Sequence, residues 1–212
     1  MSEAPVEAGV DDVQPVPRKT GRGHFDVIVS LTAIFISAVS LYVAIQHGKT
    51  ERDLVAANVW PFPRAILDNG GDPDAMIRIG LSNGGVGPAK IRTFELFYRG
   101  HPVSSGLDLL RQCCGLPSGT AAVKTELPGG YYFSIADETV LRPGEENPVL
   151  QLKRTTAPRI GARLAAAVPQ IGFRVCYCSV LDQCWIGDLR STYAQQVSEC
   201  RPPAHPYATN GL

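Results

Sequence analysis

Nineteen consecutive residues, 27–45, carry no charged side chain, and no other feature of the chain restricts its fold as strongly. The run lies within FDVIVSLTAIFISAVSLYVAIQ, residues 25–46, and as an α-helix it would span roughly 28 Å. The hydrocarbon layer of a bilayer is about 30 Å thick. A helix lying on a soluble core keeps a charged face over such a length. Residues 25–46 therefore read as a transmembrane helix.

The flanks favour an anchor that is kept over a signal that is cleaved. Arg18, Lys19 and Arg22 supply a basic edge, but the apolar core exceeds the roughly 7–15 residues of a secretory signal. Gln46-His47-Gly48-Lys49-Thr50-Glu51-Arg52 follows without a small-residue cleavage site, and Val55-Ala56-Ala57 comes too late. Three basic residues before the span and Lys49 and Arg52 after it favour a cytoplasmic N-terminus by the positive-inside rule. Along the span, Ser30, Ala33, Ser37, Ser40 and Ala44 recur at alternating spacings of three and four. Such a seam lets two helix backbones approach in a membrane, so a homo-oligomer through this helix is one expectation. The other is the ordinary abundance of small residues in such spans.

Around the anchor, residues 1–24 hold prolines, acidic groups and no Phe, Trp or Tyr. They read as a disordered cytoplasmic tail, since little apolar surface offsets the entropy of ordering. Residues 47–59 read as a juxtamembrane helix or linker, which Trp60-Pro61-Phe62-Pro63 must end. Residues 60–200 have the size of one domain, and residues 201–212, with Pro202, Pro203 and Pro206, read as a flexible tail.

Within the domain, short alternating stretches are separated by turn chemistry. Residues 64–67 and 76–82 flank Asp68-Asn69-Gly70-Gly71-Asp72-Pro73, and in MIRIGLS the residues Ile77, Ile79 and Leu81 share one face. Residues 89–98, AKIRTFELFY, carry apolar groups on both faces, which suits the middle of a sheet. Further strands are expected at 131–135, at 139–146 where the strand ends in a Pro-Gly turn, and at 148–152, 172–179 and 184–189. Short helices are expected at 106–113, N-capped by Ser104 or Ser105, and at 159–168. Strands at this spacing predict an antiparallel β-sandwich with two short inserted helices.

The run Leu81-Ser82-Asn83-Gly84-Gly85-Val86-Gly87-Pro88-Ala89, with Leu141-Arg142-Pro143-Gly144-Glu145 farther on, resembles immunoglobulin- or fibronectin-III-like modules of bacterial envelope proteins. The whole chain resembles bacterial single-pass membrane proteins with such a domain after the anchor. The resemblance implies an Ig-like sandwich fold; the expected location, the cell inner membrane with the domain in the periplasm or outside, rests on the flanking charges and on the cysteines below. The chain departs from antibody-type domains in lacking their inter-sheet cysteine pair around a core tryptophan.

All six cysteines, Cys113, Cys114, Cys176, Cys178, Cys184 and Cys200, follow the span. An even number confined to the domain suggests disulfides and an oxidising compartment. If the last hairpin turns about Leu181, Cys178 faces Cys184. Cys176, on the same face as Cys178, could then reach Cys113 or Cys114, leaving the other for Cys200. A bridge of that span from Cys200 would contribute about 4 kcal/mol in the chain-entropy model. The rival expectation is chemical: Cys176, Cys178 and Cys184, completed by Cys113 or Cys114, could hold zinc or copper(I) or exchange disulfides.

Other chemistry has little support. His101 and His205 lack partners at a catalytic spacing, so the expectation is no enzyme and no cofactor. Formal net charge is zero, with 20 basic and 20 acidic residues, which argues against nucleic acid. Tyr131-Tyr132-Phe133 reads as core. The expected partners are the membrane and an unknown envelope protein.

Overall fold

The computed structural model describes residues 23–71 and 76–208. Most of the N-terminal tail, the Asp72-Pro73 part of the expected turn and the last four residues lie outside the described residues. The chain divides into two compact units, residues 1–51 and 52–212.

Helix α1, Gly23–Asn58, is continuous and buries none of its residues against protein. Among the described residues it is the one helix long and apolar enough to cross a membrane. Its large apolar side chains, Phe25, Ile34, Phe35 and Leu41 among them, are all exposed. Ser30 and Ser37 donate their hydroxyls to the carbonyls of Asp26 and Ala33, each at 2.8 Å. With Ala33, Ser40 and Ala44 they lie exposed on the helix surface. The helix stops just ahead of Pro61 and Pro63.

The second unit is built on two antiparallel sheets. The first has the order β1-β2-β7-β5, formed by β1 (Pro63–Asp68), β2 (Met76–Asn83), β5 (Tyr131–Phe133) and β7 (Glu146–Lys153). The second has the order β10-β9-β8-β3-β4, with β6 also paired to β3. Its strands are β3 (Ala89–Tyr98), β4 (His101–Val103), β6 (Thr139–Leu141), β8 (Ile171–Cys178), β9 (Cys184–Gly187) and β10 (Gln195–Val197). Ile77, Ile79 and Leu81 of β2 and Leu150 and Leu152 of β7 share one core with Ile91, Phe94 and Leu96 of β3 and Phe173 and Val175 of β8.

Three helices complete this core: α2 (Gly106–Cys114), α3 (Thr120–Glu126) and α4 (Pro158–Ala167). Ser105 caps α2 by accepting from the Asp108 amide at 3.1 Å. Gly115 ends it in the left-handed region at φ 69°. Leu107, Leu109 and Leu110 turn inward and pack toward Ile160 and Leu164 of α4.

One buried amide joins the two sequence motifs. Asn83, fully buried, accepts through Oδ1 from the Phe62 and Gly85 amides at 3.1 and 3.0 Å. Its Nδ2 donates to the Gly87 and Leu141 carbonyls at 2.8 and 3.0 Å. Its own backbone meets Gly144 and Glu145. The Asn83-to-Pro88 turn and the Leu141-to-Glu145 turn are thus tied to each other and to the start of β1. Gly87 is required for this approach, because a Cβ there would fall 2.1 Å from the Val59 carbonyl oxygen.

Several expectations are corrected. The register shifts between Ile91 and Thr93, so Arg92 is an extra residue in β3. Ile91 therefore turns onto the core side with Phe94, whereas strict alternation would oppose them. Tyr131 and Tyr132 are 39% and 53% exposed, because β5 is an edge strand; only Phe133 turns inward, against Gly106. Strands β4 and β10 and helix α3 carry too few residues for any periodicity to have marked them.

Candidate functional site

The candidate site is a group of four cysteines on the outer face of the second sheet. Strand β8 reads IGFRVCYC, and its alternation sends Phe173, Val175 and Tyr177 to the core cluster. Arg174, Cys176 and Cys178 take the other face, opposite Glu95, Thr93 and Lys90 of β3. The hairpin to β9 closes through Ser179 and Gln183, with Asp182 in the left-handed region at φ 57°. A three-residue loop of this kind centres the hairpin on Leu181. Cys178 and Cys184 become a directly facing pair, and they are bonded. Lys90 steadies the tip through a 2.9 Å ion pair with Asp182, and its hydrogen bond holds the Asp182 carboxyl below the usual carboxylate range.

Cys176 is bonded to Cys200, and Cys113 is bonded to its neighbour Cys114. The expected bridge from Cys176 to Cys113 or Cys114 is therefore corrected, as is the one from Cys200 to the other. The reason is position: Cys113 and Cys114 end α2 against the core, where Cys114 is fully buried. Its carbonyl accepts from Arg163 of α4 at 3.0 Å. Cys176 points away from that core, across the sheet. All six cysteines are paired, and none is free.

The segment after β10 crosses this outer face as a strap. Strands β6 and β4 pair with residues 89–91 and 96–98 of β3, so among the described residues the stretch between has no strand partner on that edge. The strap meets the sheet at this gap. The His205 amide donates to Glu95 Oε1 at 2.8 Å, and the Glu95 side chain is only 4% exposed. Tyr207 is 2% exposed and lies edge-on to Phe94, with centroids 5.4 Å apart. Its hydroxyl donates to the Val149 carbonyl at 3.4 Å, and burial pushes the phenol well above its ordinary range. The Ala208 amide donates to the Ser104 carbonyl at 2.8 Å. Residues 201–208 thus belong to the domain, and the expected flexible tail is corrected to this extent. A lone tyrosine among prolines was the single apolar signal.

The strap has a cleft on either side. One, of about 610 Å³, is walled in part by Cys178, Cys184 and Cys200. The other, of about 560 Å³, includes Cys176 and Glu95 in its wall. Asp137 also borders the first cleft, and its carboxyl is raised above the ordinary range, chiefly by burial. The sulfurs of Cys178, Cys184 and Cys200 lie within 4.8 Å of one another. This trio has Cys200 where the sequence suggested Cys176, because the strap brings Cys200 over the hairpin. A thiolate, not a disulfide sulfur, is the metal ligand and the nucleophile. As bonded here, the group is a pair of adjacent disulfides that becomes a set of soft donors on reduction. Comparison with protein-family models, curated proteins and solved structures finds no match to this chain.

Proposed function

We propose that the protein is a signal-anchored, single-pass inner-membrane protein with a cytoplasmic N-terminus. Its disulfide-bonded domain then stands in the periplasm or outside the cell. The observation that carries this reading is the joining of one apolar, uncovered helix to a domain whose cysteines are all in disulfides. Such bonds persist in oxidising compartments.

The strand order supports an Ig-like assignment. The order β1-β2-β7-β5 follows the A-B-E-D sheet of such domains, and β9-β8-β3-β4 follows G-F-C-C′. Helices α2 and α3 then fall between C′ and D, and α4 between E and F. The domain serves as a non-catalytic interaction or structural module for another envelope protein. The small-residue seam of α1 serves a second copy of the chain.

A membrane-impermeant maleimide applied to intact cells tests the location. Labelling that requires prior reduction of the cells is the expected result. Labelling that requires lysis but no reductant would put the domain in the cytosol and overturn the proposal. The Cys178/Cys184/Cys200 trio would then be three thiolates suited to zinc or copper(I).

A further inference from the structure

The hairpin bond and the strap bond touch. Cys200 Sγ, bonded to Cys176, lies 3.8 Å from Cys178 Sγ, which is bonded to Cys184. Van der Waals contact between sulfurs of two different disulfides is the starting arrangement for exchange, which needs only that one of them become a thiolate. Cys200 is also the least buried of the four: Cys176, Cys178 and Cys184 are 2%, 3% and 6% exposed, whereas Cys200 is half-buried. It shares a cleft wall with Cys178 and Cys184, so a small thiol entering there meets it.

We infer that the four cysteines form an intramolecular disulfide relay with Cys200 as its pivot, open to a thiol or dithiol reductant through the cleft beside the strap. The thiolate of a dithiol attacks Cys200 Sγ, forming a mixed disulfide and expelling Cys176 as thiolate. The second thiol of the reductant then attacks the sulfur bonded to Cys200, closing its own cyclic disulfide and releasing the Cys200 thiolate. Two electrons have entered the protein, and the reductant's two protons are shared between Cys176 and the solvent. The Cys200 thiolate next attacks Cys178 Sγ, forming Cys178–Cys200 and expelling Cys184, which takes up the remaining proton. This last step is redox-neutral. Reduction delivered at the strap thereby opens the hairpin, while the strap stays tethered one bonded position along β8. The relay starts from the oxidised domain of the proposed function, and its test reads linkage in purified oxidised protein, apart from location.

Full-length protein in detergent, treated with limiting dithiothreitol, quenched in acid and capped with N-ethylmaleimide, tests the relay. Cleavage after Tyr177 and Leu181 puts Cys176, Cys178 and Cys184 on separate peptides for mass spectrometry. The expected result is a Cys178–Cys200 linked pair with Cys176 and Cys184 capped. Its rate of formation should rise about tenfold per pH unit below the ordinary thiol range, following the thiolate fraction. Finding only Cys176–Cys200 and Cys178–Cys184 linkages at every stage of reduction would overturn the relay. Cys184→Ser supplies a second reading without reductant. Cys200 should then be found bonded to both Cys176 and Cys178, with the single capped thiol divided between them. Capping of Cys178 alone in that variant counts against the relay, and the wild-type measurement stands if the variant does not fold.

Discussion

The two faces of strand β8 come from alternate residues of one eight-residue stretch, yet different forces hold them. On the inner face Phe173, Val175 and Tyr177 join a continuous apolar core. There the stabilisation is non-directional and scales with buried area. On the outer face Cys176 and Cys178 lie under a strap whose one large apolar side chain, Tyr207, turns into that same core. That strap is held by a covalent bond and by a few hydrogen bonds to Glu95 and Ser104. The same alternation thus supports a face that packs itself and a face that must be tied down. A segment rich in proline covers a sheet without becoming a strand of it.

This contrast can be broken first at the core. Phe94 touches Phe173 and Tyr207 and is fully buried. Phe94→Ala should lower unfolding stability by about 4 kcal/mol, read from urea titration. A loss no larger than that of an outer-face substitution would erase the distinction between the two faces. Next in size is the tether. Cys200→Ser opens a bond of sequence separation 24, for which chain entropy suggests a cost of about 3.5 kcal/mol. Amide exchange should then quicken in residues 198–208, with β2 and β7 left protected. Loss of protection across both sheets would mean that the strap is part of the core's cooperative unit. The smallest effect lies in pH. The Tyr207 phenol is raised by burial, so its contribution is complete below the unfolded value of about 10 and is lost as pH climbs beyond it, by up to about 1.4 kcal/mol per pH unit. Tyr207→Phe should flatten that alkaline decline in thermal midpoint, and an unchanged decline would place its origin elsewhere.

How much of this was legible in the sequence follows from the range of each interaction. The Cys178–Cys184 pair could be read because a short hairpin fixes its own register, and symmetry about Leu181 did the rest. The central place of β3 was visible in its two apolar faces, though the extra residue Arg92 was not, since a bulge leaves no mark on composition. The partner of Cys176 is not legible because helix α2 packs into the core, on the inner side of the sheet whose outer face carries Cys176, a fact of tertiary placement alone. Tyr207 was hidden by its polar, proline-rich surroundings, and Asn83 looked like an ordinary turn residue. Its role emerges only when Phe62, Gly87 and Leu141 arrive from three other segments.

The hydrogen bond from His205 to Glu95 joins residues 110 apart in sequence, whereas the hairpin bond joins residues only six apart. Loop closure costs more as the loop lengthens, and contacts distant in sequence form slowly. Loop-closure entropy therefore favours closing the hairpin bond before the strap bond. In that order the sulfur of Cys176, 2% exposed in the finished domain, would stay open to solvent beside a completed bond until the strap closed over it.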